Sequence, residues 1–230
     1  MADAYAVVAA IARRDHHRRA TMTRLMKRKK ANHALRIVPA NQALWPDVER
    51  VVGLARCHGA FCYCQRFKIS HADWHSTSDE ERERRLREQT RCGSPRSRSS
   101  SGLLAYADNE PAGWCSVEPR TAFPFIPDAR IAWKKRGEDR NDDGVWAVAC
   151  FLTRTELRRS GIMRGLAVAA VDFARDRGAR ALEGYAMITK AGEEITWGEL
   201  HVGSRSVFAA AGFREVARPT LRRVVMRIDF

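Results

Sequence analysis

Residues 146–166, WAVACFLTRTELRRSGIMRGL, constrain the fold of this 230-residue chain more than any other segment. Trp146 to Thr153 is an apolar run bounded by turn-forming residues, the pattern of a strand covered on both faces. Its backbone groups need partners on both sides, so the strand must sit inside a sheet. A short polar loop follows, with Arg158, Arg159, Ser160 and Gly161. An amphipathic helix then begins at once, with Ile162, Leu166, Ala169, Ala170 and Phe173 on one face and Gly178 as its stop. A central strand feeding directly into a core-facing helix predicts an α/β domain. The loop also has a chemistry of its own. A helix N-terminus presents unpaired N–H groups and partial positive charge, Gly161 permits close backbone approach, and Arg158, Arg159 and Arg164 add full charges, which together suit phosphate groups.

The flanking segments supply the rest of one sheet. Leu35 to Val38 reads as a strand ended by Pro39, and Asn41 as the cap of a helix through Trp45, Val48, Val51, Val52 and Leu54. A second helix is expected over 78–89, opened by the capping box Ser78/Glu81 and carrying the i,i+4 pairs Glu80/Arg84, Glu81/Arg85 and Glu83/Arg87 on an exposed face. Residues 91–101, RCGSPRSRSSS, form a loop, and 103–107 with 112–117 a β-hairpin turned at Asp108-Asn109-Glu110. Residues 121–143 read as an irregular surface loop. A strand over 181–188, a short helix over 204–211 stopped by Gly212 and a strand over 223–228 complete the order. No internal repeat is visible. The expected organisation is a basic extension over 1–34 and one mixed α/β domain over 35–230.

Charge separates the two parts. The net charge is +14, and the first 34 residues hold nine Lys or Arg against Asp3 and Asp15, which is half of the excess. Such a run suits a nucleic-acid or acidic surface through counterion release, or else a solvated extension. The basic stretch Arg13 to Lys30 lacks aromatic residues for base stacking. Met22 and Met26 also allow an internal start. The remainder is only mildly basic, and 45% hydrophobic residues are enough for a sizeable core. No apolar run reaches the ~20 residues of a membrane span. The apolar start precedes its basic residues, the reverse of a secretory signal. Six cysteines are too few for a disulfide scaffold. A reduced, cytoplasmic chain is therefore expected.

The segment Arg158-x-x-Gly161-x-Met163 resembles the pyrophosphate loop of the GNAT superfamily of N-acetyltransferases, Gln/Arg-x-x-Gly-x-Gly/Ala, with Met163 at the last position. The order of elements from about residue 35 to the end resembles that superfamily too, down to the Gly212-Phe213 pair before the final strand. Cys62-Tyr-Cys-Gln, Gly113-Trp-Cys-Ser and Leu182-Glu-Gly-Tyr look like a bacterial, functionally obscure branch of it. The resemblance implies a single mixed sheet flanked by helices, acetyl-CoA as co-substrate, and an amine acceptor, small molecule or peptide. It implies cofactor contacts from Phe151, Leu152 and Thr153 for the pantetheine arm. It implies others from Arg158, Arg159, Ser160, Gly161, Ile162, Met163 and Arg164 for the pyrophosphate. The Tyr that often protonates the leaving thiolate in that superfamily falls on Phe208 here.

Other groups must then serve the chemistry. Glu183 and Tyr185 alternate in phase on the 181–188 strand and are the expected catalytic pair, the carboxylate as proton acceptor and the phenol as acid. Glu199 and His201 are weaker candidates, and Cys150 is read as a core thiol more than a nucleophile. Trp114, Trp133, Trp146 and 123–125 are read as an aromatic acceptor side or as core. Cys57, His58, Cys62, Cys64, His71 and His75 fall close together, but Cys-x-Cys is tighter than common zinc spacing, so packing is expected and no metal. The competing reading is a nucleic-acid-associated protein acting through 1–34 and 91–101 with a non-catalytic acyl-CoA domain. A metal-stabilised binding module built on the Cys/His segment is a third. The oligomeric state is left open.

Overall fold

The computed structural model describes residues 33–57, 59–126, 133, 136–190, 192 and 197–230. The basic segment 1–34 and His58 therefore fall almost wholly outside the described residues. The chain from His33 onward forms one compact unit. Among the described residues no helix is long and apolar enough to cross a membrane.

Seven strands build one mixed sheet: β1 (Leu35–Pro39), β4 (Leu103–Ala107), β5 (Glu110–Pro119), β6 (Val145–Thr153), β7 (Ala181–Gly184), β9 (Val225–Asp229) and β8 (Arg214–Ala217), in that spatial order. A two-residue ladder, β2 (Arg56–Cys57) with β3 (Ala60–Phe61), stands apart. Only β6 and β7 run parallel, joined by the crossover helix α3 (Ile162–Arg175). The β4–β5 hairpin turns on Asp108 and Asn109, both at positive φ, as the two-residue primed turn requires. Helices α1 (Trp45–Val52) and α2 (Asp79–Thr90) lie early in the chain, and α4 (Trp197–Leu200) and α5 (Arg205–Ala210) late.

Two apolar layers sandwich the sheet. On one face α3 buries Ile162, Leu166, Ala170 and Phe173 against Val148, Phe151 and Leu182. On the other, Trp45, Val48 and Val52 of α1 pack on Leu104, Trp114 and Leu152. Gly113 brings the start of α3 close to β5: a Cβ there would come within 2.5 Å of Ile162 Cγ2.

Several expectations change. The first helix begins at Trp45 with Leu44 as its N-cap and Pro46 in its first turn, because Asn41 is buried and spends its amide on the carbonyls of Ser94 and Ser97. Ser78 does cap α2, accepting from the Glu81 amide at 3.2 Å. The helix is not wholly an exposed charged face, since Arg82 is buried against Trp74 and bonded to Asp79. The strand expected over 181–188 stops at Gly184, and β8 and the β2–β3 ladder were not read from the sequence.

The central strand is irregular where it matters. Its register with β5 passes from Ser116↔Cys150 to Val117↔Val148, leaving Ala149 as an extra residue, a β-bulge. On its other side, pairing with β7 covers only Val145 to Val148. Beyond the bulge β6 has no strand neighbour on that side, so the sheet opens between β6 and β7.

Phe208, on α5, wedges under that opening. It is fully buried, with ring contacts to Phe151 at 5.7 Å and Phe213 at 5.0 Å. Gly184 leaves it room, because a Cβ there would come within 2.2 Å of the Phe208 ring. Gly184→Ala should lower the unfolding free energy by about 1–3 kcal/mol or more through overpacking. Urea titration checks this, and an unchanged midpoint would show that the wedge relaxes freely.

Candidate active site

The open end of β6 continues into the loop expected to hold phosphates. Gly161, at φ +92°, is the N-cap of α3, and Arg159 also takes a positive φ. No side chain caps this helix. The first-turn amides of Ile162, Met163 and Arg164 have no carbonyl one turn back, so they project toward the loop as free donors. A Cβ on Gly161 would meet open space. Here the glycine serves the backbone turn, and the space beside it is what a side chain would occupy.

These residues line a groove of about 570 Å³. It runs from Phe151 and Thr153 past Arg158, Arg159 and Gly161 to Ile162, Met163 and Arg164, and its opposite wall includes Leu200, His201 and Val207. Eight of the ten residues expected at the cofactor are thus brought together. Leu152 faces the opposite layer with Trp114, and the Ser160 hydroxyl bonds back to the Leu157 carbonyl at 2.6 Å.

Backbone direction along β6 follows from one bond. Arg154 donates to the Ala112 carbonyl at 3.0 Å, so the amides of 152 and 154 face β5 and those of 151 and 153 face the opening. Phe151 donates across it to the His201 carbonyl at 2.6 Å. The Thr153 amide faces the groove, and the buried Thr153 hydroxyl has no hydrogen-bond partner among the described residues.

A second cavity, of about 160 Å³, lies on the other side of His201. Phe67, Ile126, Tyr185 and Val225 make its apolar and aromatic walls, and Arg66 and Arg223 its charged ones. His201 borders both spaces. It is buried, with Phe67 stacked at 6.3 Å between ring centroids.

The structure brings Glu183 and Tyr185 together but not to the cofactor end. Glu183 is in register with Ala147, four to six residues before Phe151 to Thr153, or roughly 13–20 Å of extended strand. Its carboxylate is fully buried and already engaged, by Arg136, by Arg227 at 2.9 Å, by Arg120 at 3.5 Å and by the Tyr185 hydroxyl at 3.1 Å. No face of it is left for a substrate amine. Burial first, then the Glu183 charge, pushes the Tyr185 phenol well above its ordinary range. The phenol therefore stays protonated as a hydrogen-bond donor.

The remaining candidates resolve by burial. Cys150 is a buried thiol pushed well up by its hydrogen bond with Cys64 and by desolvation, the opposite of an activated nucleophile. Cys57, Cys62 and Cys64 point inward while His71 and His75 are exposed on turns, not on one helical face. Among the described residues no three metal-ligating groups converge. Trp114, Trp133 and Trp146 are core. Sequence reasoning missed Arg66 and Arg223, since nothing in the chain order brings them to one cavity.

The sequence matches the Acetyltransferase (GNAT) family over residues 66–189. The chain belongs to the GNAT acetyltransferase family. It is an acetyltransferase, and members of this GNAT family use acetyl-CoA as co-substrate. Among solved structures, an acetyltransferase shares 19% identity over 84% of this chain and 98% of its own, at a TM-score of 0.51. The Salmonella typhimurium protein yncA, with its cofactor acetyl-CoA, shares 14% over 85% and 94%, at 0.48. An N-acetyltransferase from Staphylococcus aureus Mu50 shares 11% over 85% and 98%, also at 0.48. At these identities the likeness is one of GNAT fold. No curated protein matches the chain.

Two outcomes follow from the buried charges. Glu183→Gln should cost about 3–5 kcal/mol, because it leaves the guanidiniums of a buried cluster uncompensated, and chemical denaturation measures it. Burial and then the Asp47 hydrogen bond push the Tyr106 phenol up to about 12. A folded-state value above the unfolded one of about 10 means that stability is full below pH 10 and is lost as pH rises toward 12. Tyr106→Phe should flatten that alkaline decline in melting temperature, and an identical slope would exclude the assignment.

Proposed function

We propose that this acetyltransferase moves an acetyl group from acetyl-CoA to an amine on a small molecule or peptide. The observation that carries the reading is the meeting of two spaces at His201. The phosphate-suited groove reaches it from one side and an apolar cavity from the other. An acyl donor and an amine need such a meeting point, because transfer requires the two reacting atoms in near contact.

Under this reading the free amides of Ile162, Met163 and Arg164, with the Arg158, Arg159 and Arg164 side chains, bind the pyrophosphate. Phe151, Leu152 and Thr153 offer the strand edge along which the pantetheine arm lies, and Ser160 shapes the loop. The bound co-substrate supplies an activated thioester. Thr153, whose amide faces the opening, is placed to donate to the carbonyl oxygen as negative charge develops there. His201 lies where an amine proton must leave, and imidazole is the side chain suited to accept it near neutral pH. Tyr185 faces the acceptor cavity, and Glu183 acts as its positioning residue through the 3.1 Å bond. This gives the pair a different division of labour from the acid and base roles expected at first.

Gly161→Asp, which places a side chain and a negative charge at the pyrophosphate position, should weaken acetyl-CoA binding at least about 100-fold in calorimetry. His201→Gln should leave that binding intact and lower kcat roughly 100-fold. Undiminished acetyl-CoA binding by the Asp variant would remove the groove assignment.

A further inference from the structure

About half of the described arginines are ion-paired. Arg120, Arg136 and Arg227 share Glu183, Glu138 and Asp229, and Arg82, Arg84 and Arg85 each meet a carboxylate on α2. Arg66 and Arg223 are set apart by lining one small cavity together. Both are half-buried and line the 160 Å³ cavity, and each guanidinium lies within electrostatic reach of the other. Neither ion-pairs with a carboxylate of the described residues. The Glu199 carboxylate ion-pairs with Arg222 at 3.2 Å and lies within electrostatic reach of Arg223 without bonding to it. Arg66 is hydrogen-bonded to the Cys57 side chain, and its backbone to Cys62.

Two like charges held together at an apolar cavity are unfavourable unless an anion joins them. Phe67, Ile126 and Val225 exclude water around the pair, which strengthens any charge-assisted bond formed there. The cavity is small, and His201 lines both it and the groove. We propose that the acceptor is a compact amine bearing a carboxylate, of the apolar amino-acid class, whose carboxylate docks on Arg66 and Arg223 while its amine faces His201. This inference rests on the acetyl-transfer reading of the same site.

In this arrangement the arginines select and position, and the amine remains neutral and free to attack. The side chain of the acceptor lies against Phe67 and Ile126. A polypeptide N-terminus has an amide where the free amino acid has its carboxylate, so it lacks the anion that the pair requires.

The test uses the full chain with saturating acetyl-CoA and follows release of free CoA thiol. The acceptors are L-phenylalanine, L-leucine, L-valine and L-methionine, each paired with its carboxamide, which mimics the first peptide bond. The expected result is a kcat/KM at least tenfold higher for the free acids. Arg223→Gln and Arg66→Gln should each erase most of that preference by raising the acceptor KM about tenfold or more, with the acetyl-CoA Kd unchanged. Arg223→Lys should restore part of it. Equal use of acids and carboxamides would overturn the proposal. So would acceptance of neither series by a protein that binds acetyl-CoA, while leaving the acetyltransferase site standing. Failure of the native chain to bind acetyl-CoA in calorimetry would instead overturn the site reading itself, and this proposal with it.

Discussion

The opening of the sheet beside β6 is the constraint on which the remaining architecture depends. A central strand that loses its neighbour exposes backbone donors and acceptors in the middle of a protein, where they are costly. Here the bulge at Ala149 turns the strand as pairing with β7 ends. The segment before α5 then returns to satisfy one of the freed groups, with the His201 carbonyl accepting from Phe151. Two residues further on, the Thr153 amide faces the same opening, beside a buried hydroxyl with no hydrogen-bond partner among the described residues. The irregularity of the strand and the availability of the site are thus the same structural event.

Rigidity around that opening has two sources. Above the α3 layer, Phe208 fills the wedge and meets Phe151 and Phe213, with Gly184 and Gly203 leaving space for its ring. The position that the resemblance assigns to a Tyr acid therefore serves as packing. On the opposite face, the buried carboxylate–arginine cluster around Glu183 ties β7 and β9 to Arg120 and Arg136. Such a cluster is favourable only because nearly every charge in it is met. The hydroxyl of Tyr185 is bonded into its edge, and Tyr185 also lines the small cavity beside His201. A structural network below and a chemical space above share one side chain.

Local signals carried much of the fold. The strand at 145–153, the helix beginning at Ile162, the hairpin and the Ser78 cap were legible because each depends on neighbours within a few residues. Asn41 misled because the best local use of its side chain, a helix cap, lost to distant carbonyls at Ser94 and Ser97. Glu183 misled for a related reason. Its phase with Tyr185 was visible, and the two do touch, but the arginines that occupy it come from positions 120, 136 and 227. The early end of β7 was hidden as well, since the sequence over 185–188 remains apolar after strand pairing has ceased.

The sequence by itself determined the loop that we propose holds the pyrophosphate. Loop, glycine and helix N-terminus are contiguous, and their geometry follows from backbone rules acting over about ten residues. Only the tertiary structure decided the small cavity lined by Arg66, His201 and Arg223. Arg66 precedes β4, His201 follows α4 and Arg223 precedes β9, so their meeting depends on sheet order and on where β6 parts from β7. Local propensity has no reach over such separations. Long-range strand pairing does, and it gathered three residues with no common motif around one small cavity.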